Sequence, residues 1–360
     1  MRIALVALIA GCASAQEQPR AELRAIWVTR WDYRTADDVR TIVANGASLG
    51  VTDLIWQCRG QADAYYRSSL EPWGDLIGGR DPGFDPLELA VKEAHAKGLR
   101  IHAWMNAMPV WRGKAKPPAD SIAGRHPDWV VVGRDGKPQA PNDHYLCANP
   151  ARDEWVKHVG AVAADIVSRY DVDGLHLDYI RYLEGDWSYD ETTLARFGAN
   201  PEEKTEEWTE FRRGLVTETV RRIRESVRKA RASAMLTAAV YPNRLARSRI
   251  HQDAERWVRE GLVELVFPMQ YNDKDADFFD RVREAHESFG DRVVPGIGVF
   301  KHETAEQTAR QLEFVRTQRC RGVALFCYAN FWRTPDESYA KTSQNLRDLR
   351  VATVRKLFGK

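Results

Sequence analysis

The chain has 360 residues, of which 44% are hydrophobic, so it can bury one large core or two ordinary ones. Its 53 lysines and arginines are balanced by 51 aspartates and glutamates, and no Lys/Arg-rich block occurs. This balance excludes a strongly basic surface that follows a phosphate backbone, so nucleic acid is not an expected partner. Twelve tryptophans and twelve tyrosines supply flat apolar faces with polar edges, which suit sugar rings as well as a protein core.

Residues 1–20 have the pattern of an export signal followed by a short linker. Arg2 precedes an apolar run that is too short to remain as a membrane span. Two processing sites compete: the segment ASA suits signal peptidase, whereas IAGC resembles a lipobox in which Cys12 becomes lipidated. We favour the lipobox, which predicts an exported protein that is periplasmic or an outer-membrane lipoprotein. No later segment is long and apolar enough to predict a transmembrane helix.

Eight segments with the composition of buried strands follow, and helical patterns separate them. The strand-like runs lie at 23–30, 51–58, 99–106, 172–180, 234–241, 263–271, 292–300 and 321–330. Helices are predicted at 36–48, 85–98, 151–169, 205–231, 251–261, 275–289 and 304–319. In the second of these helices, Asp85 suits the N-cap, Pro86 the first turn and Gly98 the end.

This alternation predicts an α/β fold, a (β/α)₈ TIM barrel that forms a single domain over residues 21–350, with a short tail at 351–360. A doubly wound open sheet is the alternative, but no Gly-rich turn of the form G-x-G-x-x-G follows any strand. Two long loops follow the third and fourth strands, at 107–150 and 183–204. Both leave the carboxyl ends of strands, where barrel enzymes carry their active sites, so we expect them to build a site.

The end of the fourth strand, VDGLHLDYIRY at 172–182, contains the strongest candidate for a catalytic residue. Side chains alternate along a strand, so His176 and Asp178 share the face opposite to the two leucines of the run. The leucines suit the helical layer, which places His176 and Asp178 inside the barrel, with Asp178 nearer the mouth. We expect this carboxylate to bind or react with a ligand; the alternative is a structural ion pair with Arg59 or Arg181.

Other strand ends supply polar and aromatic side chains that suit a carbohydrate. The predicted substrate-binding residues are His176, Arg59, Gln57, Asn106, Trp104, Trp31, Arg181, Gln270, Tyr271 and Tyr328. Glycoside hydrolysis ordinarily needs a second carboxyl group beside Asp178. Asp273 and Asp63 are the candidates at strand ends, and Glu184 and Asp186 lie in the adjacent loop. No metal-ligand cluster and no G-x-S-x-G motif occurs, so neither a metal nor a cofactor is predicted.

Several segments resemble the glycoside hydrolase-like ten family of bacterial envelope proteins. The matching pieces are LRAIWVTR, PWGDLIGGRDPGFDPLELAVKEAHAKGLRIHAWMN, HPDWVV, DVDGLHLDYIRY, WVREGLVELVFPMQY and GVALFCYANF, which together span nearly the whole chain after the signal. The resemblance implies a (β/α)₈ barrel that acts on envelope or other polysaccharides, with peptidoglycan strands stripped of peptides as the best candidate. It also implies that Asp178 is the site acid. Many members carry a second Asp next to it, where this chain has Tyr179.

The fourth strand is also similar to the chitinase pattern D-G-x-D-x-D-x-E, with informative differences. Asp178 matches, but His176 replaces the middle Asp and Ile180 replaces the acidic Glu. The similarity of PMQYND to a sixth-strand chitinase segment implies sugar contacts by Tyr271 and Asp273. The first hypothesis is therefore a glycoside hydrolase that uses Asp178, and the second is a glycan-binding barrel without catalysis. A metal-dependent or polysaccharide deacetylase is disfavoured because a ligand cluster is missing.

Overall fold

The computed structural model describes residues 21–338 and 340–359. Eight parallel strands form a closed barrel in chain order, which confirms the predicted (β/α)₈ fold. They are β1 (Leu23–Val28), β2 (Asp53–Arg59), β3 (Arg100–Asn106), β6 (Gly174–Asp178), β7 (Met235–Val240), β8 (Leu265–Gln270), β9 (Gly296–Gly298) and β10 (Gly322–Phe326). The export signal, with both processing sites and Cys12, lies outside the described residues.

Helices follow the barrel strands and cover the outside of the barrel. They are α1 (Ala36–Leu49), α2 (Pro86–Ala96), α3 (Ile122–Arg125), α4 (Asp153–Arg169), α5 (Glu191–Phe197), α6 (Thr205–Ala230), α7 (Arg244–Arg249), α8 (Ala254–Arg259), α9 (Asp275–Phe289), α10 (Ala305–Thr317) and α11 (Gln344–Leu357). Asp85 caps α2 because its side chain accepts hydrogen bonds from the amides of Leu87 and Glu88. The sequence patterns do not predict α11, which runs across the expected boundary at residue 350. None of the described helices is both long and apolar enough to span a membrane.

Inward-facing side chains fill the barrel in layers. Near the amino-terminal ends of the strands, Asp53 is hydrogen-bonded to His102 over 2.9 Å. Above this pair, the ring of Trp27 packs against His176 and Phe267, with ring centroids 6.0 and 5.9 Å apart. These layers close the interior below the mouth of the barrel, so a ligand can enter only from the carboxyl ends of the strands.

The two long loops predicted after the third and fourth barrel strands contain structure of their own. The first contains an antiparallel hairpin of β4 (Pro109–Gly113) and β5 (Asn142–Cys147), in which Arg112 is paired with Tyr145. The second contains α5 and contacts the first through a bridge between Gly133 and Trp187. The hairpin brings Arg112 and Tyr145 to the mouth of the barrel.

Candidate active site

A cleft of about 220 Å³ opens at the carboxyl ends of the barrel strands, on the face where the sequence predicts the site. Its lining combines a carboxylate, two arginines, a histidine, two amides and several aromatic rings. The lining residues are Trp31, Gln57, Trp104, Asn106, Arg112, His144, Tyr145, Asp178, Tyr179, Arg181, Met269, Tyr271 and Phe326. The structure thus brings together seven residues of the sequence prediction, namely Asp178, Gln57, Asn106, Trp104, Trp31, Arg181 and Tyr271.

Asp178 is the last residue of β6 and the only carboxylate in the described lining of the cleft. Its Oδ1 atom accepts a 2.6 Å hydrogen bond from the amide of Tyr179 and a 3.2 Å hydrogen bond from the guanidinium of Arg181. Its Oδ2 atom accepts no hydrogen bond from any described residue. Because one oxygen takes both donors, the other is available to a ligand in the cleft.

Arg181 is buried among aromatic rings beside Asp178. Its Cζ atom lies 4.1 Å from the ring centroid of Tyr179 and 4.8 Å from that of Tyr241. Burial opposes the charge of Arg181, but Asp178 and the two tyrosines outweigh burial and raise its pKa. Arg181 therefore stays charged and fixes the orientation of the carboxylate. Tyr179 has a φ of 49°, a left-handed conformation that is uncommon for a non-glycine residue and that turns the chain directly after Asp178.

Two amide side chains and one indole form a hydrogen-bonded part of the cleft wall. The indole of Trp104 donates to Oδ1 of Asn106 over 2.9 Å, and Nδ2 of Asn106 donates to the carbonyl of Gly60 over 2.9 Å. Oε1 of Gln57 accepts a 3.0 Å hydrogen bond from the amide of Arg30. These bonds hold the side chains in defined orientations, which preorganises the cleft for a polar ligand.

Aromatic rings supply apolar surface on the cleft. Tyr145 and Tyr179 pack edge to face with centroids 4.9 Å apart, and Tyr271 lies 5.1 Å from Phe326. Burial, and then the charge of Asp178, raise the pKa of Tyr271 well above its usual value, so its hydroxyl stays protonated. Flat apolar faces beside hydroxyl, amide and carboxylate groups suit the faces and edges of a sugar ring.

His176 lies below the cleft, which corrects its prediction as a sugar-binding residue. It is fully buried, and its Nε2 accepts a 3.3 Å hydrogen bond from the indole of Trp27. Its Nδ1 therefore carries the proton and donates to Oγ1 of Thr237 over 2.8 Å. Burial lowers the pKa of His176 well below its usual value, so the ring is neutral. The predicted inward orientation is right, but His176 lies one layer deeper than Asp178, about 6.6 Å further down the strand.

Arg59 points out of the barrel, which corrects its prediction as a cleft residue. A bulge between Gln57 and Arg59 breaks the two-residue alternation, so that only Gln57 faces the cleft. The guanidinium of Arg59 forms two 2.7 Å hydrogen bonds with Glu71, and His158 on α4 contacts the same carboxylate at 2.9 Å. Arg59 also donates to the carbonyl of Asn106, so it supports the cleft wall from behind.

Gln270 and Tyr328 also face away from the cleft, for different reasons. Gln270 lies between Met269 and Tyr271, which both line the cleft, so strand alternation turns it outwards. Its amide donates to backbone carbonyls outside the barrel. Tyr328 lies in a 3₁₀ turn after β10, where the alternation ends, and its hydroxyl accepts a 2.8 Å hydrogen bond from Asn45 on α1. Both predictions are corrected because a polar residue at a strand end need not face the mouth.

Neither Asp273 nor Asp63, the two predicted partners of Asp178, lines the cleft. Asp63 is buried in the loop after β2, where its Oδ1 accepts hydrogen bonds from the amides of Gly60 and Gln61. The pKa of Asp63 is raised, mainly because its carboxyl group is buried. Asp273 is exposed in the loop after β8. Among residues 21–338 and 340–359, no three His, Cys, Asp or Glu side chains converge in a group that could hold a metal ion.

The sequence patterns do not assign six of the lining residues. These are Arg112, His144, Tyr145, Tyr179, Met269 and Phe326. Arg112, His144 and Tyr145 lie on the β4–β5 hairpin, inside a segment that the sequence presents as one long loop. Its two strands, PVWRG and NDHYLC, do not alternate apolar and polar residues, so strand periodicity does not identify them. Met269 and Phe326 continue the inward faces of β8 and β10, and strand alternation is sufficient to find them.

The fold and the cleft define a class of protein, the (β/α)₈ barrels, which include several glycoside hydrolases of known structure. The structure resembles α-L-fucosidase isoenzyme 2 from Paenibacillus thiaminolyticus, with a TM-score of 0.66, 13% identity, and coverage of 94% of this chain and 49% of that chain. It also resembles the PgaB (BpsB) glycoside hydrolase domain from Bordetella bronchiseptica, with a TM-score of 0.63 and 12% identity. This match covers 92% of this chain and 99% of that domain. At such low identity, these likenesses show a shared fold.

The chain belongs to the glycosyl hydrolase-like 10 family, whose profile matches residues 22–306. It is 26% identical over 295 residues to glycosyl hydrolase YngK of Bacillus subtilis (strain 168), and 26% identical over 256 residues to glycosyl hydrolase DigH of Escherichia coli (strain K12). These matches cover 71% and 62% of this chain and 55% of each relative. The chain thus spans about half the length of the curated relatives it matches. The family resemblance of the sequence segments is confirmed, and the protein is glycosyl hydrolase-like.

Proposed function

We propose that the protein is an exported glycoside hydrolase that cleaves glycosidic bonds in a cell-envelope polysaccharide, with Asp178 as the reacting carboxylate. The observation that carries this proposal is the arrangement of Asp178, whose Oδ1 is fixed by Arg181 and the Tyr179 amide while Oδ2 remains available. Membership of the family, and the names of the relatives YngK and DigH as glycosyl hydrolases, support the same reaction class.

Peptidoglycan glycan strands without peptides are the substrate that we propose. The motif segments that resemble the family imply this substrate, and the signal-like pattern at 1–20 supports export to the compartment where such strands occur. Use of the lipobox would attach a lipid anchor at Cys12 and hold the protein at the membrane surface. A barrel mouth on an exported protein is then accessible to glycan strands of the envelope.

Five of the cleft residues have a part in the proposed reaction. The transition state of glycoside hydrolysis carries positive charge near the anomeric carbon, and the carboxylate of Asp178 stabilises that charge and reacts through Oδ2. Arg181 holds the carboxylate in place through Oδ1. Trp104 and Tyr271 pack against the sugar, and Asn106 belongs to the hydrogen-bonding wall that orients its hydroxyl groups.

A second candidate function is glycan binding without catalysis, and one observation favours it. The ordinary mechanism uses two carboxyl groups about 5 Å or about 6.5 to 9.5 Å apart, yet Asp178 is the only carboxylate in the described lining. Hydrolysis therefore needs a second reacting group from the substrate, from water, or from a carboxyl group that moves into the cleft when the glycan binds. A binding protein needs no such group.

Release of new reducing ends from peptide-free peptidoglycan strands tests the proposal. We expect the wild-type protein to release them and Asp178→Asn to slow release by about a hundredfold or more, with unchanged thermal unfolding. Asp280→Asn is the matched control, because it removes an exposed carboxylate on α9 that pairs with Arg283 outside the cleft, and it should react at the wild-type rate. Binding of strands by the wild type without any product would support the glycan-binding barrel. Equal rates for Asp178→Asn and the wild type would remove Asp178 from the mechanism.

A further inference from the structure

The charges in the cleft are unequal, and one arginine has no acidic partner in the part of the chain that the structure describes. Arg112, Arg181 and His144 are the basic side chains of the described lining, and Asp178 is its only carboxylate. Asp178 is already paired with Arg181. Among residues 21–338 and 340–359, Arg112 forms no ion pair, and its side chain is exposed on β4. The cleft therefore carries an uncompensated positive charge at Arg112.

The hairpin that carries Arg112 contains an acidic residue, but this residue forms an ion pair with a lysine and not with Arg112. Oδ2 of Asp143 on β5 lies 3.1 Å from Nζ of Lys114. Arg112 instead extends over the indole of Trp31, with its Cζ atom 5.5 Å from the ring centroid. The aromatic ring faces the cleft as well, so the guanidinium is presented to a ligand next to an apolar surface.

The strand next to Arg112 is held in place by hydrogen bonding, and a second arginine, Arg181, acts on the same side of the cleft. Arg112 is paired across the hairpin with Tyr145, whose hydroxyl accepts a 3.1 Å hydrogen bond from the buried Arg30. His144 is next to Tyr145, and its pKa is lowered first by burial and then by the positive charges of Arg181 and Arg112. The two arginines thus create a positive potential on one side of the cleft. Glu184 has a smaller, opposite effect on His144, and among the described residues it forms no ion pair with Arg112.

We infer that Arg112 forms a subsite for a carboxylate carried by the glycan, so that the cleft selects an anionic sugar unit over a neutral one. This inference rests on the proposed function, because it names the substrate class of the same cleft. A guanidinium offers two parallel N–H donors that match a carboxylate, and its position beside an indole excludes part of the water that would weaken the pair. The carboxylate belongs either to a uronic acid ring or to an acid joined to the sugar by an ether, and both present the same chemistry.

Titration with short ligands tests the subsite without relying on turnover. The probes are the disaccharide of N-acetylglucosamine and N-acetylmuramic acid, the same disaccharide with its carboxylate converted to a methyl amide, and digalacturonate with its methyl ester. Each probe is titrated into the wild-type protein, Arg112→Gln and Arg125→Gln, and mass spectrometry verifies that the disaccharides stay intact. Arg125→Gln is the matched control, because Arg125 is an exposed arginine of the same long loop that does not line the cleft.

We expect the wild type to bind a free acid about tenfold more tightly than its neutral form, a difference that decreases with added salt. Arg112→Gln should bind the acid and the neutral form equally, and Arg125→Gln should behave as the wild type. If the acid form is preferred over the neutral form only for the muramic disaccharide, the subsite takes an ether-linked acid. If it is preferred only for digalacturonate, the subsite takes a ring acid. Either result supports the subsite. Equal affinity of the wild type for acid and neutral forms, equal loss of both in Arg112→Gln, or binding of no probe would overturn it.

The outcomes for the subsite and for the proposed function are separate. A carboxylate preference that depends on Arg112, without reducing ends from any glycan, would keep the subsite and reject hydrolysis. Cleavage of glycan strands by the wild type, with no difference between acid and amide probes, would keep hydrolysis and reject the subsite.

Discussion

At the scale of single residues, Asp178 combines two features that the sequence presents as alternatives. The strand pattern is compatible with a ligand-binding carboxylate or with a structural ion pair to Arg59 or Arg181. In the structure, Asp178 pairs with Arg181 and still lines the cleft, whereas Arg59 pairs with Glu71 behind it. The ion pair therefore positions the carboxylate through one oxygen and does not remove it from the cleft.

Replacement of Arg181 tests this positioning role. Arg181→Met removes the guanidinium that donates to Oδ1, so we expect kcat on glycan strands to fall about tenfold or more while KM changes less. Arg181→Lys keeps the charge but loses the planar fork and the stacking on Tyr179, and it should be intermediate. Steady-state kinetics measure both variants. A wild-type kcat in Arg181→Met would show that the orientation of Asp178 does not depend on Arg181.

Asp32, in the turn after β1, predicts a pH dependence of stability. Burial raises the pKa of this carboxyl from 3.8 to about 7, although the amide of Thr29 donates a hydrogen bond to its Oδ2. Its Oδ1 has no partner among the described residues. Because the folded protein holds this proton more tightly than the unfolded chain, the contribution of Asp32 to stability falls as the pH rises from about 4 to about 7. Asp32→Asn resembles the protonated form and removes this titration.

Guanidinium unfolding of the wild type and of Asp32→Asn at pH 5 and pH 8 measures the effect. We expect the variant to gain stability relative to the wild type by a few kcal/mol between the two pH values, because only the wild type must ionise the buried carboxyl of Asp32. The same difference between the two proteins at both pH values would show that Asp32 titrates at its ordinary value.

At the scale of elements, departures from regular alternation decide which side chains reach the cleft. The bulge between Gln57 and Arg59 turns Arg59 outwards, and the 3₁₀ turn after β10 turns Tyr328 towards α1. The β4–β5 hairpin adds Arg112 and Tyr145 from a segment outside the barrel. Period-two reasoning applies within a strand, and it fails where a strand bulges, ends or is hidden in a long loop.

The ion pair between β2 and the following loop should be important for stability. Arg59 and Glu71 have fully buried side chains, so Glu71→Gln leaves a buried guanidinium without its counter-charge. We expect Glu71→Gln to lower the free energy of unfolding by about 3 kcal/mol or more. Asp37→Asn is the control, because Asp37 pairs with Arg40 at the surface and should change stability by about 0.5 kcal/mol or less. Similar unfolding curves for both variants would contradict a structural role of the buried pair.

At the scale of the whole molecule, the fold is predictable from sequence because eight alternations of strand and helix leave few ways to bury both faces of a parallel sheet. The strand ends that surround the cleft follow from that fold, which is why Gln57, Asn106 and Asp178 could be assigned. The depth of His176 in the barrel could not be assigned, since strand alternation shows which face a side chain is on but not how deep in the barrel it lies. Arg112 could not be assigned either, because the sequence does not show that the β4–β5 hairpin places this surface arginine beside the cleft.

Mass spectrometry of peptide-free peptidoglycan strands after incubation with the protein is the most direct test of the central claim, that Asp178 drives glycan hydrolysis in this cleft. With the wild-type protein we predict fragments that carry the mass of one added water and a new reducing end, and with Asp178→Asn we predict intact strands. Intact strands with the wild type, or the same fragments at the same rate from Asp178→Asn, would contradict this account.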